Sequence, residues 1–94
     1  MKVTVKFFGI FHSVSGKDKV TLEFKDAVPL KKVINKLVET VPKLQKTLTS
    51  PESEDLKSST LIIINGKEIS VLNGLKTEVK DGDNIVLVPV THGG

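Results

Sequence analysis

The chain has 94 residues, 38% hydrophobic and 27% charged, with a formal net charge of +3. That is room for one domain spanning 1–94. It is too apolar for a disordered chain, and a domain this size buries only somewhat more than ~60% of its unfolded surface, leaving little volume for a deep enzyme pocket. There is no cysteine, which excludes a disulfide, a thiolate metal site and a cysteine nucleophile of the chain's own.

Residues Lys2 to Gly9 alternate, with Val3, Val5 and Phe7 on one side and Lys2, Thr4 and Lys6 on the other, as in a half-buried strand. Ile10 to Asp18 contains Ser15-Gly16 and is expected as a turn. Val20, Leu22 and Phe24 alternate with Thr21 and Glu23, giving a second strand and an antiparallel hairpin. Leu30, Val33, Ile34, Leu37, Val38 and Val41 follow helical spacing, so the main helix is predicted over Leu30 to Val41, with Pro29 in its first turn and Pro42 as its stop. Lys43 to Leu48 is expected as one more helical turn with Leu44 and Leu48 inward, and Thr49 to Ser59 as a mobile surface loop. Leu61 to Ile64 reads as a buried strand and Asn65-Gly66 as a type I′ turn, with Glu68 to Val71 returning antiparallel. Asp81-Gly82-Asp83 marks a further turn, Ile85 to Val90 the last strand, and residues 91–94 a flexible tail.

The order β-β-α-β-β-β has one main helix, enough for one sheet face. A right-handed crossover through that helix places the first and last strands side by side in the middle. The expected fold is therefore α+β, a β-grasp with a mixed sheet of about five strands. Val5, Leu22, Val33, Ile34, Leu37, Ile63 and Leu87 are its predicted core. The last strand is apolar on both sides. With Ile85 and Leu87 in the core, Val86, Val88 and Val90, together with Phe8, are left as an apolar patch for a partner.

The pI is about 9.2, yet all 14 basic residues are lysine, acidic residues are interspersed among them, and the aromatics are four phenylalanines. Without arginine for bidentate contacts or an aromatic series for stacking, the charge reads as a solvated surface and no direct nucleic-acid binding is expected. No secretory segment and no apolar run near ~20 residues is seen, so a cytoplasmic protein with no membrane partner is expected. The two histidines, His12 in a loop and His92 near the end, stand apart from any carboxylate cluster, so no metal site is expected.

Two terminal glycines arise by chance in roughly one chain in 200. What carries weight is that Gly93-Gly94 directly follows an apolar strand in this pattern. A carboxylate is unreactive at neutral pH and must be activated, and glycine lets the backbone thread a narrow channel.

At these residues the chain resembles the ubiquitin-like sulfur carriers, the MoaD/ThiS group and the ubiquitin-related modifier proteins. Phe8 to Gly16 is similar to the MoaD segment F-A-x-L-R-E-L-x-G, and Ile64 to Ile69 to its N-G-x-x-[VI] hairpin. Asp81 to Gly94 is similar, without a gap, to the ending D-G-D-E-V-A-L-F-P-P-V-S-G-G. His12 and Ser13 depart from the motif's Arg and Glu, Val88 stands for its partner-docking phenylalanine, and Thr91-His92-Gly93-Gly94 is closer to the L-H-G-G ending of the modifiers.

The resemblance implies a carrier with no catalytic residues and no bound cofactor of its own. An E1-like adenylating enzyme, MoaB/MoeB-like or ubiquitin-activating-like, would adenylate Gly94 with ATP and Mg²⁺, and a partner's persulfide would leave a thiocarboxylate there. His92 would contact that enzyme. The sulfur would serve molybdopterin (molybdenum cofactor) biosynthesis, this chain being the small subunit of a molybdopterin synthase beside a MoaE-like large subunit. The alternative is a modifier joined to lysines of target proteins, or donating sulfur for tRNA thiolation. A third reading is a non-catalytic β-grasp interaction domain.

Overall fold

The computed structural model describes residues 1–49 and 60–90. The first strand, β1 (Lys2–Phe7), buries Val3, Val5 and Phe7 and exposes Lys2 and Lys6, as its alternation predicts. β2 (Lys19–Glu23) pairs antiparallel with it, Val3 opposite Leu22 and Val5 opposite Val20.

Between them the expected turn is instead a short helix, α1 (Ile10–Ser15). Phe11 is fully buried and Val14, one turn later, packs against the same core. Six residues are too few to be stable alone or to declare a period, so tertiary packing makes this helix. Ser15-Gly16 is its stop: Gly16 has φ 70° and its N–H donates to His12 O.

The main helix, α2 (Leu30–Thr40), buries Leu30, Val33, Ile34 and Leu37. It ends one residue earlier than expected, Val41 leaving the helical region at φ −128° and ψ 79° ahead of Pro42. Pro29 does not occupy its first turn. It belongs to a two-residue strand, β3 (Val28–Pro29), and Leu30 N–H donates to Thr77 O at 2.8 Å. A 3-10 turn, Pro42–Leu44, and α3 (Gln45–Leu48) follow, with Leu44 and Leu48 fully buried as predicted. Both pack beside α1, extending the core past the end of the sheet. The predicted loop from Thr49 to Ser59 lies, beyond Thr49, outside the described residues.

β4 (Thr60–Ile64) turns through Asn65 and Gly66, φ 50° and 86°, into β5 (Lys67–Glu68). Both torsions are positive, as a type I′ turn requires. The return strand is shorter than Glu68 to Val71, because Ile69–Val71 curls into a 3-10 turn. Glu68 caps that turn, accepting from Ser70 N–H at 2.9 Å. The Ser70 hydroxyl and then this N–H hold the Glu68 carboxyl below its ordinary pKa. Another 3-10 turn, Gly74–Lys76, leads to β6 (Glu78–Val79), which pairs with β3 as a separate two-stranded sheet. Two-residue strands have no period, so neither was legible in the sequence.

The last strand, β7 (Asn84–Pro89), is parallel to β1 and antiparallel to β4. The main sheet runs β2-β1-β7-β4-β5, with α2 across one face, which is the predicted β-grasp topology. One predicted core residue is misplaced. Ile62 and Ile64 point into the core, paired with Leu87 and Ile85, while Ile63 is half-buried on the opposite face. The unbroken run Leu61 to Ile64 has no alternation to read, so pairing with β7 alone sets its parity.

The turn before β7 is clasped by two side chains. Asp83 Oδ1 accepts from Asn65 Nδ2 at 2.9 Å and Oδ2 from Lys80 N–H at 2.8 Å, while Asn65 Oδ1 accepts from Asn84 N–H at 3.0 Å. The clasp ties the β4–β5 hairpin to the start of β7. Asp83→Ala is expected to cost about 1–2 kcal/mol, because the two donors lose a charged acceptor. An unchanged denaturation midpoint would remove the clasp from the account.

Candidate functional site: the outer sheet face and the end of β7

α2 covers the inner sheet face, so the outer face is left to whatever side chains the strands place there. Along β7 the parity is as expected: Ile85 and Leu87 are fully buried, and Val86 and Val88 lie half-buried on the other side. The strand neighbours build the surface outward. Val86 sits between Lys6 of β1 and Ile63 of β4, and Val88 sits opposite Leu61. Phe8, one residue beyond β1, donates its N–H to Leu87 O at 3.2 Å and is 52% exposed.

The structure thus puts Val86 and Val88 on one apolar face, with Phe8 and the half-buried Val90 beyond the ends of β1 and β7. It adds Leu61 and Ile63, which the sequence reading assigned to the core strand without a face, and places exposed Ile10 next to the Phe8-Gly9 bend. The misjudged parity of β4 hid both aliphatic neighbours. The short helical segment after Pro42 does not cover this face, since Leu44 and Leu48 are spent in the core. His92, Gly93 and Gly94 lie outside the described residues.

Polar chemistry is sparse. His12 lies on α1, not in a loop, with Nε2 2.8 Å from Asp18 Oδ1. Among the described residues no three His, Cys, Asp or Glu side chains converge as they would around a metal ion, and no helix is long and apolar enough to cross a membrane. A surface depression of about 330 Å³ is lined by Asn35, Val38, Glu39, Gln45 and Thr49. Among its described lining residues Glu39 is the single titratable group.

A mixed sheet gripping one helix, with an apolar outer face on the strand that precedes a diglycine, defines the ubiquitin-like β-grasp class. Comparison with known proteins agrees. A model of the ThiS family matches residues 5–94, and the chain belongs to that family of ubiquitin-like sulfur carriers and modifiers.

The small archaeal modifier protein 3 of Haloferax volcanii is 27% identical over 94 residues, covering 100% of both chains. The solution structure of the small archaeal modifier protein 1 of Methanosarcina acetivorans is 30% identical with a TM-score of 0.85, over 99% of this chain and 96% of that one. A putative molybdopterin converting factor, subunit 1, from Pyrococcus furiosus is 26% identical with a TM-score of 0.75, over 96% and 98%.

Proposed function

We propose that this chain is a sulfur carrier whose Gly94 carboxylate is activated by an E1-like enzyme. The carboxylate attacks the α-phosphorus of ATP, held as its Mg²⁺ complex by the enzyme, and releases pyrophosphate. A persulfide on a partner attacks the acyl carbon and expels AMP. A second partner thiol cleaves the resulting acyl disulfide and leaves the Gly94 thiocarboxylate. With no cysteine in the chain, every sulfur and thiol in this sequence comes from partners. The observation that carries the reading is the position of Gly93-Gly94, five residues past the end of β7 (94 − 89 = 5), in a chain matched by the ThiS family through residue 94.

The acceptor we propose is a molybdopterin precursor, held by a MoaE-like large subunit. The likeness to the putative converting factor of Pyrococcus furiosus favours it. A second reading, attachment to protein lysines or sulfur donation to tRNA, is favoured by the two similar archaeal modifier proteins. Intact mass after incubation with the host's E1-like enzyme, ATP and a sulfur donor tests the common step. The expected gain is that of one sulfur replacing one oxygen, and an unchanged mass would count against both acceptors. Copurification with a MoaE-like subunit then selects the first reading, and isopeptide-linked ladders the second.

The docking surface proposed for the activating enzyme is the face of Val86, Val88, Val90 and Phe8, with His92 beside the tail as a further contact. Val88→Asp places a charge in a contact that must lose its water. It is expected to weaken binding to the enzyme by about tenfold or more, while costing about 1–2 kcal/mol of stability at a half-buried position. Titration calorimetry alongside a melting curve reads both, and equal affinity with equal stability would exclude this face.

A further inference from the structure

One row of residues crosses the outer face at right angles to the strands. The register pairs Lys19 of β2 with Lys6 of β1, Lys6 with Val86 of β7, Val86 with Ile63 of β4, and Ile63 with Glu68 of β5. Every strand of the main sheet contributes one residue, over about 19 Å at the usual strand spacing. The order is two cations, two aliphatic side chains and an anion. Lys6 and Lys19 are exposed, while Val86, Ile63 and Glu68 are half-buried.

The two lysines are an unfavourable pair for the fold. Phe7 N–H donates to Asp18 O at 2.9 Å, so the neighbouring pair, Lys6 and Lys19, is of the non-hydrogen-bonded kind, in which facing side chains come closest. Like charges so placed repel. Elsewhere on this face the fold supplies a counter-charge, since Lys2 has Glu23 opposite it, with Nζ 3.8 Å from Oε1. Among the described residues neither Lys6 nor Lys19 has an ion-pair partner. The carboxylate next in the chain, Asp18, lies 2.8 Å from His12 Nε2 instead. At the far end of the row Glu68 accepts from Ser70 N–H at 2.9 Å. The row is therefore cationic at one end only.

Water and salt screen the repulsion while the face is free. Covering Val86 changes this, because Lys6 beside it loses hydration too, and a desolvated charge is costly unless an opposite one meets it. We propose that Lys6 and Lys19 form a basic border of the docking face, and that the activating enzyme presents carboxylates to it. The pair steers the encounter, and its position at one end of the row fixes which way round the face docks. This rests on the docking role proposed for Val86 and Val88.

Three variants, Lys6→Glu, Lys19→Glu and Lys31→Glu, are compared with wild type by stopped-flow association with the cognate E1-like enzyme and by ATP–pyrophosphate exchange, each with a melting curve. Lys31 is exposed on α2, across the sheet from the row, and its replacement changes net charge equally. Lys6→Glu and Lys19→Glu are each expected to slow association about tenfold at ~0.05 M salt, the deficit shrinking at ~0.5 M. In exchange the loss should fall on KM, with kcat held within about threefold. Their melting temperatures should equal or exceed that of wild type, since an attracting pair replaces a repelling one, whereas a merely structural role would lower stability and association together. Lys31→Glu should slow association less than about twofold. Unchanged association in both row variants, a deficit that salt does not relieve, or an equal deficit in Lys31→Glu overturns the proposal. Lower melting temperatures in both row variants would mean that the lysines pair within this chain, and overturn it too. If one row variant does not fold, the other decides. Absence of exchange in the wild type is a different failure, that of the activation reading, and undiminished affinity of Val88→Asp is the failure of the face itself.

Discussion

Deleting Gly94, or appending one residue after it, is expected to abolish ATP–pyrophosphate exchange with the cognate E1-like enzyme. Adenylation needs the carboxylate oxygen in line with the α-phosphorus, and reaction rates fall steeply once reacting atoms leave near-attack geometry. Removing or adding one residue shifts the terminal carboxylate by about 3.3–3.6 Å along an extended chain, a full residue away from the nucleotide. Gly93→Val is expected to lose nearly as much by another route, since a β-branched side chain restricts φ and widens the thread. None of these changes should move the melting temperature appreciably. Among the described residues the buried core is built from side chains between Val3 and Leu87, and glycine has no side chain to add to it. Full exchange by the Gly94 deletion would refute the carrier reading and leave the fold untouched.

Leu37→Ala is expected to destabilise the domain by roughly 2–5 kcal/mol, the cost of removing buried methyl groups and leaving a cavity. Leu37 is fully buried on α2 in the same cluster as Val5, Leu22, Ile62 and Leu87. A domain of this size has a total stability of about 5–10 kcal/mol, so the loss should be plain in a urea denaturation curve. A loss under about 1 kcal/mol would mean that α2 does not pack as described. The contrast with the tail is diagnostic. Leu37→Ala lowers stability and impairs activation only through the unfolded fraction, whereas Gly94 deletion removes activation at full stability.

The two effects separate because the molecule divides its work. On the proposed reading the packed sheet and helix supply rigidity and a face for recognition, and the carboxylate to be activated belongs to the chain past β7. Such a carrier needs no pocket or acid–base pair of its own. On the proposed reading its specificity lies in the outer face, where Val88 is the informative position.

Much of this was legible in the sequence for definite reasons. α2 declared itself because Leu30, Val33, Ile34 and Leu37 keep helical spacing between two prolines. β1 did so because Val3, Val5 and Phe7 alternate with polar residues, and the Asn65-Gly66 turn because few other pairs tolerate two positive φ angles. Leu44 and Leu48 could be placed inward from their four-residue spacing alone. Along β7, Ile85 and Leu87 are core and Val86 and Val88 are outer, as the count of helices available to cover the sheet required.

Other features were decided only by tertiary structure. α1 is six residues long and exists because Phe11 and Val14 have a core to enter, so no local period announces it. Ile63 faces outward because β4 pairs with β7 in the register Ile62↔Leu87, and an unbroken aliphatic run is silent about parity. β3 and β6 are two residues each and form only because the chain folds back on itself. Local patterning determined the elements with a period and the turns with special torsions; long-range packing determined the rest, since a short segment acquires its conformation and its face from what it lies against.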